Sequence, residues 1–477
     1  MEKIPRAIAF HAQSVKIHTY IFMLTYLVIS EHLMTKKIHP ISGLPELLPA
    51  QQRIFHDWIN KIRSVFEQHG YAPIETPAFE RLETLTSKGI AEHEIYTVRR
   101  LREDDGQKQD DADLALRFDL TVPLARYVSQ HFADLVFPFR RYHIAPVWRG
   151  ERAQKGRYRQ LYQCDIDVLS DRPLSYRSDA EVIMILSKIL SSLQPSIGSF
   201  HFYINHRYLL SGMLEAFGIT QNDEILRTLD KRKKIPSAVL FRELQQWTDR
   251  PEELIQTLDH FSGPLRESCD RIANSPFKDS ALVARALNEL QGVADLLEAF
   301  GCPAELYRLD LSLARGLNYY TGIVLETFLD DHPGLGSISS GGRYDNLCEQ
   351  FSARSIPGFG LSLGLSRLFH WYIEQLDQTL YATPAKIMIA VQDPATLTAC
   401  CGLAESLRQK GCAVEQYLEY DQRSLGHQMK YADRAGIQYV IFASIEEVLS
   451  DRWIVKEMSN SQQTIYTRKE LLEYFGC

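Results

Sequence analysis

Arg149–Val168 reads RGERAQKGRYRQLYQCDIDV. A dense basic run (Arg149, Arg152, Lys155, Arg157, Arg159) passes into a strand-like stretch that ends on two carboxylates, Asp165 and Asp167. Residues two apart on a strand share a face. A hairpin here therefore turns Arg157 and Arg159 the same way, and Asp165 and Asp167 the same way, so that one strand offers cations and another carboxylates. With Glu151 and Gln163, such a set suits a polyphosphate held beside an ammonium or imidazole group. The plain alternative is a solvated basic loop paired with nearby acids, because charge runs are usually surface.

Three further stretches belong with it. Leu313–Gly322 (LARGLNYYTG) sets Arg315 among apolar neighbours, with glycines and the pair Tyr319 and Tyr320. A buried arginine needs an anion, and buried tyrosine hydroxyls need partners. The alternative is a structural arginine capped by a carboxylate. Gly358–Arg367 (GFGLSLGLSR) alternates glycines that let a ligand approach the backbone closely, and brings in Arg367 as a helix begins. Leu116–Thr121 (LRFDLT) places Asp119 and Thr121 on one strand face. They suit an α-ammonium group, or else cap the helix that starts near Val122. The sequence contains no Walker A loop, Rossmann fingerprint, H-E-x-x-H or nucleophile elbow. Any ATP site would therefore be built from arginines on strands.

Outward from these motifs the chain divides in two. Pro49, then Phe55, Trp58, Ile59, Ile62, Val65 and Phe66 at helical spacing, then Gly70, predict a helix followed by an extended piece over Tyr71–Pro77. Residues 99–113 read as an exposed charged loop. A helix is expected over Ser178–Ser192 and a strand over Phe200–Asn205. A mostly helical insertion follows over about 208–300, then strands between Leu309 and Leu329, a Gly-rich turn at Ser339–Gly342 and a helix after Gly364. Composition changes near Thr383–Pro384. Beyond it the apolar runs Ile387–Val391, Ala413–Leu418 and Tyr439–Ala443 alternate with helical patterns stopped by Gly411 and Gly436, which predicts a small α/β module. The fold class is α+β: an antiparallel-sheet-rich body over 34–383 and a C-terminal module over 384–477.

Composition narrows the classes. Lys plus Arg total 53 against 60 Asp plus Glu, a net charge of -7, so nucleic-acid binding must rest on local patches. The eight cysteines include no C-x-x-C and no histidines at zinc spacing, which argues against a metal ribbon or disulfide framework and fits a reducing cytoplasm. Cys400 and Cys401 are expected on a buried helix. Thr19–Ile29 (TYIFMLTYLVI) is shorter than the about 20 apolar residues a membrane span needs. The Ser30–Leu33 stretch after it offers no small-residue cleavage site. Residues 1–33 therefore read as an extension ahead of a natural start at Met34, with a targeting segment as the alternative.

Together the quoted motifs, and SSGGRYDNL at Ser339–Leu347, resemble the histidyl-tRNA synthetases from about Met34 to the C-terminus. LARGLNYYTG is similar to that family's own histidine-binding signature. The resemblance implies a class II catalytic domain with a helical insertion and a C-terminal anticodon-binding domain. The implied reaction ligates L-histidine to tRNA(His) at the expense of ATP, with Mg²⁺, through a histidyl-adenylate. Position by position, it gives Pro77 to a homodimer interface, Arg149 to the α-phosphate, Glu151 to adenine and Arg157 to the outer phosphates. Asp119, Thr121 and Gln163 fall to the substrate's α-ammonium, and Asp167 and Tyr320, with Tyr319 beside it, to the imidazole. Arg315 falls to both the histidine carboxylate and the α-phosphate, and Arg367 packs over adenine. Arg152 and Gln154 become candidates for the tRNA acceptor end. Arg149 and Arg315 would be the catalytic pair, with no metal held by protein ligands alone. Activation brings a carboxylate to a phosphate, so positioned cations suffice without a nucleophilic side chain. Hydrogen-bonding groups left unpaired by a wrong amino acid reject it by roughly 10⁴–10⁵ without editing.

The sequence departs from the family at Leu161, where a phenylalanine usually meets adenine, and at Ser366, where an acid usually precedes the arginine. Asp119 stands for a more common glutamate. Weaker nucleotide affinity, with activity kept, is expected. The chief rival is the synthetase-like regulatory subunit of ATP phosphoribosyltransferase, which typically lacks the C-terminal module and degrades these arginines. A non-catalytic tRNA sensor of the kind fused to kinases is a further rival, but no kinase motif is present.

Overall fold

The computed structural model describes residues 39–86, 94–99, 114–152, 156–194, 196–219, 222–232, 235–313, 320–376, 380–418 and 424–476. Met1–Glu46 and Leu47–Cys477 are separate units; the described part of the first is a turn in which Leu44 N donates to Ile41 O. The expectations for residues 1–33 and for nearly all of the loop at 99–113 lie outside the described residues.

Two sheets carry the second unit, with a small third one beside them. Their strands are β1 (Ala72–Pro73), β2 (Phe79–Arg81), β3 (Thr97–Val98), β4 (Leu114–Leu116), β5 (Phe139–Trp148), β6 (Gln160–Leu169), β7 (Phe200–His206), β8 (Gly263–Pro264), β9 (Tyr307–Leu309), β10 (Ile323–Leu329), β11 (Ser339–Tyr344) and β12 (Gly358–Leu363) in the body. The C-terminal module holds β13 (Ile387–Ala390), β14 (Val414–Tyr417), β15 (Tyr439–Phe442), β16 (Trp453–Glu457) and β17 (Gln463–Tyr466). The large sheet runs β1-β5-β6-β12-β11-β10-β7-β9-β8 and is antiparallel from β5 to β7.

Period-two alternation separates its faces. Tyr142, Cys164, Ile166, Val168, Phe359, Leu361, Leu363, Ile323, Leu325, Ile204 and Phe202 pack into one core with the Pro49–Gln68 and Tyr176–Leu193 helices. The Pro49–Gln68 helix begins with Pro49 at its first turn and buries Phe55, Trp58, Ile59, Ile62 and Phe66. Gly70 then reverses the chain at φ +76°. The Tyr176–Leu193 helix lies between the sheet and the Ala281–Ala299 helix, which explains its nearly unbroken apolar run. Between β7 and β9 the chain is mainly helical, from Arg207–Ala216 to Ala281–Ala299.

The opposite face carries Arg141 and His143 from β5, Gln163, Asp165 and Asp167 from β6, Gly360 and Ser362 from β12, and Ser340 and Gly342 from β11, by register. Charge and glycine on one face, aliphatics on the other, make this the reading face.

The expected Gly-rich turn at Ser339–Gly342 is instead the strand β11. Its glycines answer to space: a Cβ on Gly341 would stand 2.1 Å from Gly360 O, and one on Gly342 2.5 Å from Ile323 O. Strand pairing overrides the turn preference of Ser and Gly. The five-stranded C-terminal sheet runs β14-β13-β15-β16-β17, with β13 parallel to both neighbours. Ile387 and Ile389 face one core, Met388 and Ala390 another, so β13 is apolar on both faces. Gly411 and Gly436 stop their helices at φ +87° and +78°. Cys400 is buried on the Leu397–Gln409 helix, whereas Cys401 is exposed, because adjacent helical residues point about 100° apart. No helix among the described residues is long and apolar enough to cross a membrane.

Candidate active site

An open cleft lies over the β6–β12–β11 part of the reading face. Arg149, Glu151, Arg157, Tyr158, Leu161, Gln163, Ser337–Ser340, Ser362, Gly364 and Arg367 line it. Arg149 leaves the end of β5 with its Nε donating to Phe118 O at 3.0 Å, while its backbone N extends the hairpin to Arg159 O at 2.8 Å. Arg367 sits in the first turn of the Leu365–Gln375 helix, with Nε on Gly156 O (3.0 Å) and Nη1 on Ser337 O (2.6 Å). These carbonyls hold two guanidinium groups on the cleft. Arg157 is largely exposed and stands 3.4 Å from Glu151 Oε2.

Deeper along the face, Gln163 Nε2 donates to Ser362 Oγ (2.8 Å), and its Oε1 has no partner. Asp167 lies 2.6 Å from Arg141 Nη2 through Oδ2 and accepts from the Tyr344 hydroxyl through Oδ1. Burial pushes its carboxyl up, against the pull of Arg141 and Tyr344. Asp165 is pushed up to about 7 by burial, with Asp167 and Asp119 adding to the rise and Arg141 opposing it. Asp119 is pushed up to about 6 by burial, opposed by the Val122 N–H and by Arg149. His143 falls to about 3, by burial first and then by Arg141 and Arg117.

Several sequence expectations change here. Asp119 and Thr121 do not share a strand: Asp119 lies in the loop after β4, and Thr121 opens the Thr121–Gln130 helix, whose Val122 N donates to Asp119 Oδ1 at 3.1 Å. The capping geometry is formed, since an Asp next to free helix N–H groups accepts from them. Arg157 and Arg159 are not the cations opposite Asp165 and Asp167, because β6 begins only at Gln160; the register puts His143 and Arg141 there. The room left by Gly358 and Gly360 is taken by protein. A Cβ at 358 would meet the Tyr344 ring at 2.4 Å, and one at 360 the Asp167 carboxylate at 1.9 Å. Ser366 is buried and accepts from Tyr162 N at 2.8 Å, so it ties its helix to β6.

Tyr320 is half-buried. Its ring edge stands over Gly342, and its carbonyl accepts from Arg207 Nη1 at 2.9 Å. Arg315, Tyr319 and Gln154 lie outside the described residues; Arg152 and Pro77 are exposed. The sequence reading missed Arg141, His143 and Arg117. Arg117 is buried and binds Thr76 O (2.6 Å) and Pro146 O (3.0 Å), joining the Pro77 segment to β5. The available signal was Arg-x-His at 141–143 matching Asp-x-Asp at 165–167, which has meaning only once the hairpin register is known.

An antiparallel sheet with a charged reading face, arginines in place of a phosphate loop, and an α/β module after it define a class II aminoacyl-tRNA synthetase. Residues 43–368 match the family model for histidyl-tRNA synthetase, and 386–477 that of the anticodon binding domain. Histidine–tRNA ligase of Xanthomonas axonopodis pv. citri (strain 306) is 38% identical over 452 residues, 90% of this chain and 94% of that one. The same-named protein of Clostridium tetani (strain Massachusetts / E88) is 38% identical over 91% of this chain and 97% of its own length. The crystal structure of histidyl-tRNA synthetase from Nostoc sp. PCC 7120 is similar with a TM-score of 0.82 and 33% identity, covering 92% of this chain and 99% of that one. The chain belongs to the histidyl-tRNA synthetase family. An ATP phosphoribosyltransferase regulatory subunit/histidyl-tRNA synthetase from Bacillus halodurans C shares the fold (TM-score 0.69) at 21% identity.

Proposed function

We propose that the chain activates L-histidine with ATP to histidyl-adenylate, releasing pyrophosphate, and then transfers the histidyl group to tRNA(His), releasing AMP. The observation that carries this reading is the convergence of Arg149, Arg157 and Arg367 on one cleft that continues to Gln163 on the reading face. Two anions must meet for adenylate formation, and preorganised guanidinium groups lower that barrier by charge and position.

Arg149 is assigned to the α-phosphate, Arg157 to the outer phosphates, and Glu151 and Arg367 to adenine. The weak Arg157–Glu151 contact would separate as the nucleotide enters. Asp119, Thr121 and Gln163 are assigned to the α-ammonium group, with the open Oε1 of Gln163 as an acceptor ready for it. Asp167, Tyr319 and Tyr320 are assigned to the imidazole, and Arg315 to the carboxylate and α-phosphate. Among the described residues no group of three His, Cys, Asp or Glu is placed to hold a metal. Mg²⁺ would enter with the ATP phosphates, its usual mode, where it would neutralise the leaving pyrophosphate.

The exposed Pro77 segment is assigned to a homodimer interface, Arg152 and Gln154 to the tRNA acceptor end, and the C-terminal domain (384–477) to the anticodon. The test is ATP–pyrophosphate exchange with each amino acid in turn, then tRNA charging. Exchange with histidine alone, abolished in Arg149→Ala, is expected; no exchange with any amino acid from folded protein would overturn the reading and turn attention to a regulatory role.

A further inference from the structure

The reading face buries more charge than its contacts consume, and Arg141 is the centre of it. Its side chain is fully buried and opposite Asp167 in register. Nη2 stands 2.6 Å from Asp167 Oδ2 as an ion pair, yet none of Nε, Nη1 and Nη2 has a hydrogen-bond partner. The other buried arginines behave differently. Arg343 spends its guanidinium on both oxygens of Asp179 and on Leu174 O, and Arg117 on the carbonyls of Thr76 and Pro146. Those two stitch elements together. A wholly buried guanidinium with donors to spare is held for its charge, since buried polar groups are otherwise paired.

We propose that Arg141 is a positioning residue of the amino-acid pocket, fixing Asp167 as an ionised carboxylate in one orientation so that it accepts the substrate's ring N–H. The proposal rests on the histidine reading of Asp167 given above.

Asp167 is enclosed on three sides. Arg141 reaches it from β5, the Tyr344 hydroxyl from β11, and on β12 Gly360 leaves the space its carboxylate occupies. Oδ1 thus accepts from the Tyr344 hydroxyl while Oδ2 faces the Arg141 charge, and each keeps a further acceptor site. Only the ionised form is acceptor-only; a protonated carboxyl would donate as well, and would no longer demand an N–H from its ligand. Burial favours protonation here, and Arg141 is first among the groups that oppose it. The other charged or titratable groups facing this acid are His143 on β5, Asp165 on β6, Tyr344 on β11, and Asp119 in the loop before the Thr121–Gln130 helix with Arg149 beside it. His143 stays neutral, and Asp165 and Asp119 are acids, so none of those three can replace Arg141. Because the contact to Asp167 runs through a single nitrogen, a lysine ammonium of sufficient reach can supply the same charge.

The experiment is histidine-dependent ATP–pyrophosphate exchange between pH 6.5 and 9 for the full chain and for Arg141→Met, Arg141→Lys and Asp167→Asn. Arg141→Met is expected to raise the KM for histidine about tenfold or more near neutral pH, as a carboxylate left about one-tenth ionised would. The KM for ATP should hold. The defect should shrink as pH rises, because an acid without its counter-ion ionises only at higher pH. Arg141→Lys should restore both the KM and the flat profile.

A variant that raises both KM values alike, or lowers kcat alone with no change in pH profile, would overturn the proposal in favour of a merely structural pair. Should Arg141→Met not fold, Arg141→Lys carries the test, and a folded lysine variant that loses histidine about tenfold overturns it too. Asp167→Asn separates the two failures. If it leaves the histidine KM unchanged, the histidine reading of Asp167 falls. If it raises that KM while Arg141→Met does not, the role of Arg141 alone falls.

Discussion

Gly360→Ala is a one-methyl change whose consequence can be worked from the structure. Gly360 lies in extended β12, so an alanine is refused by space and not by backbone conformation. Its Cβ would stand 1.9 Å from Asp167 Oδ1 and 2.5 Å from Cγ, where ordinary contact is at least 3.4 Å. The carboxylate cannot swing aside freely, since Arg141 and Tyr344 hold both its oxygens. Overpacking costs about 1–3 kcal/mol, and driving Asp167 off Arg141 approaches the about 3–5 kcal/mol of a broken buried pair. A destabilisation of about 3 kcal/mol is therefore expected, seen as a thermal midpoint lower by several degrees. If Asp167 reads the substrate, a displaced acceptor also loses a charge-assisted hydrogen bond of about 1.5–3 kcal/mol, or about ten- to a hundredfold in kcat/KM for histidine. Thermal melting and pyrophosphate exchange measure the two effects. A variant that melts with the parent and keeps its histidine kcat/KM would refute the packing argument and the role of Asp167 together.

Further expectations follow from single contacts. His143, buried and held down to about 3, binds fewer protons folded than unfolded between there and its ordinary value of about 6.5, so stability falls as pH falls through that range. Its share at pH 5 is about 2 kcal/mol, and chemical denaturation at pH 7 and 5 should show a smaller acid loss in His143→Gln; an equal loss would refute the assignment. Ser366→Ala leaves the Tyr162 N–H without its acceptor and should cost about 1–3 kcal/mol. Its KM for ATP should hold, because Arg367 is fixed by Gly156 O and Ser337 O; a raised KM with an unchanged melt would show that Ser366 acts on the nucleotide instead. Leu161→Phe places a ring on the cleft wall where an aliphatic stands. Base stacking of about 1 kcal/mol should lower the KM for ATP about fivefold in the exchange assay, and no change would separate Leu161 from the adenine.

The C-terminal module was legible because its central strand β13 is buried on both faces and two of its helices stop at Gly411 and Gly436, which are local signals. The Pro49–Gln68 helix was equally plain, its apolar stripe lying at one period and bounded by Pro49 and Gly70. Arg149, Glu151, Gln163 and Arg367 could be named from their motifs, and the structure brings them to one cleft. What linear reading could not supply was the pairing of distant strands. Ser339–Tyr344 has turn composition and yet is a strand, because neighbouring backbones lie too close for any residue but glycine at 341 and 342. Sequence alone reads Arg157 and Arg159 as the cation-bearing strand of a hairpin whose other strand carries Asp165 and Asp167. The ten-residue register of β5 against β6 instead presents Arg141 and His143, more than twenty residues upstream. Likewise Gly360 reads as an open place in a chain and proves to be the seat of the Asp167 carboxylate. Sequence by itself determined which residue types are available and where elements begin and stop, since propensity and periodicity act within a few residues. Only the tertiary structure decided which charges meet, since burial and strand register set the distances that govern electrostatics.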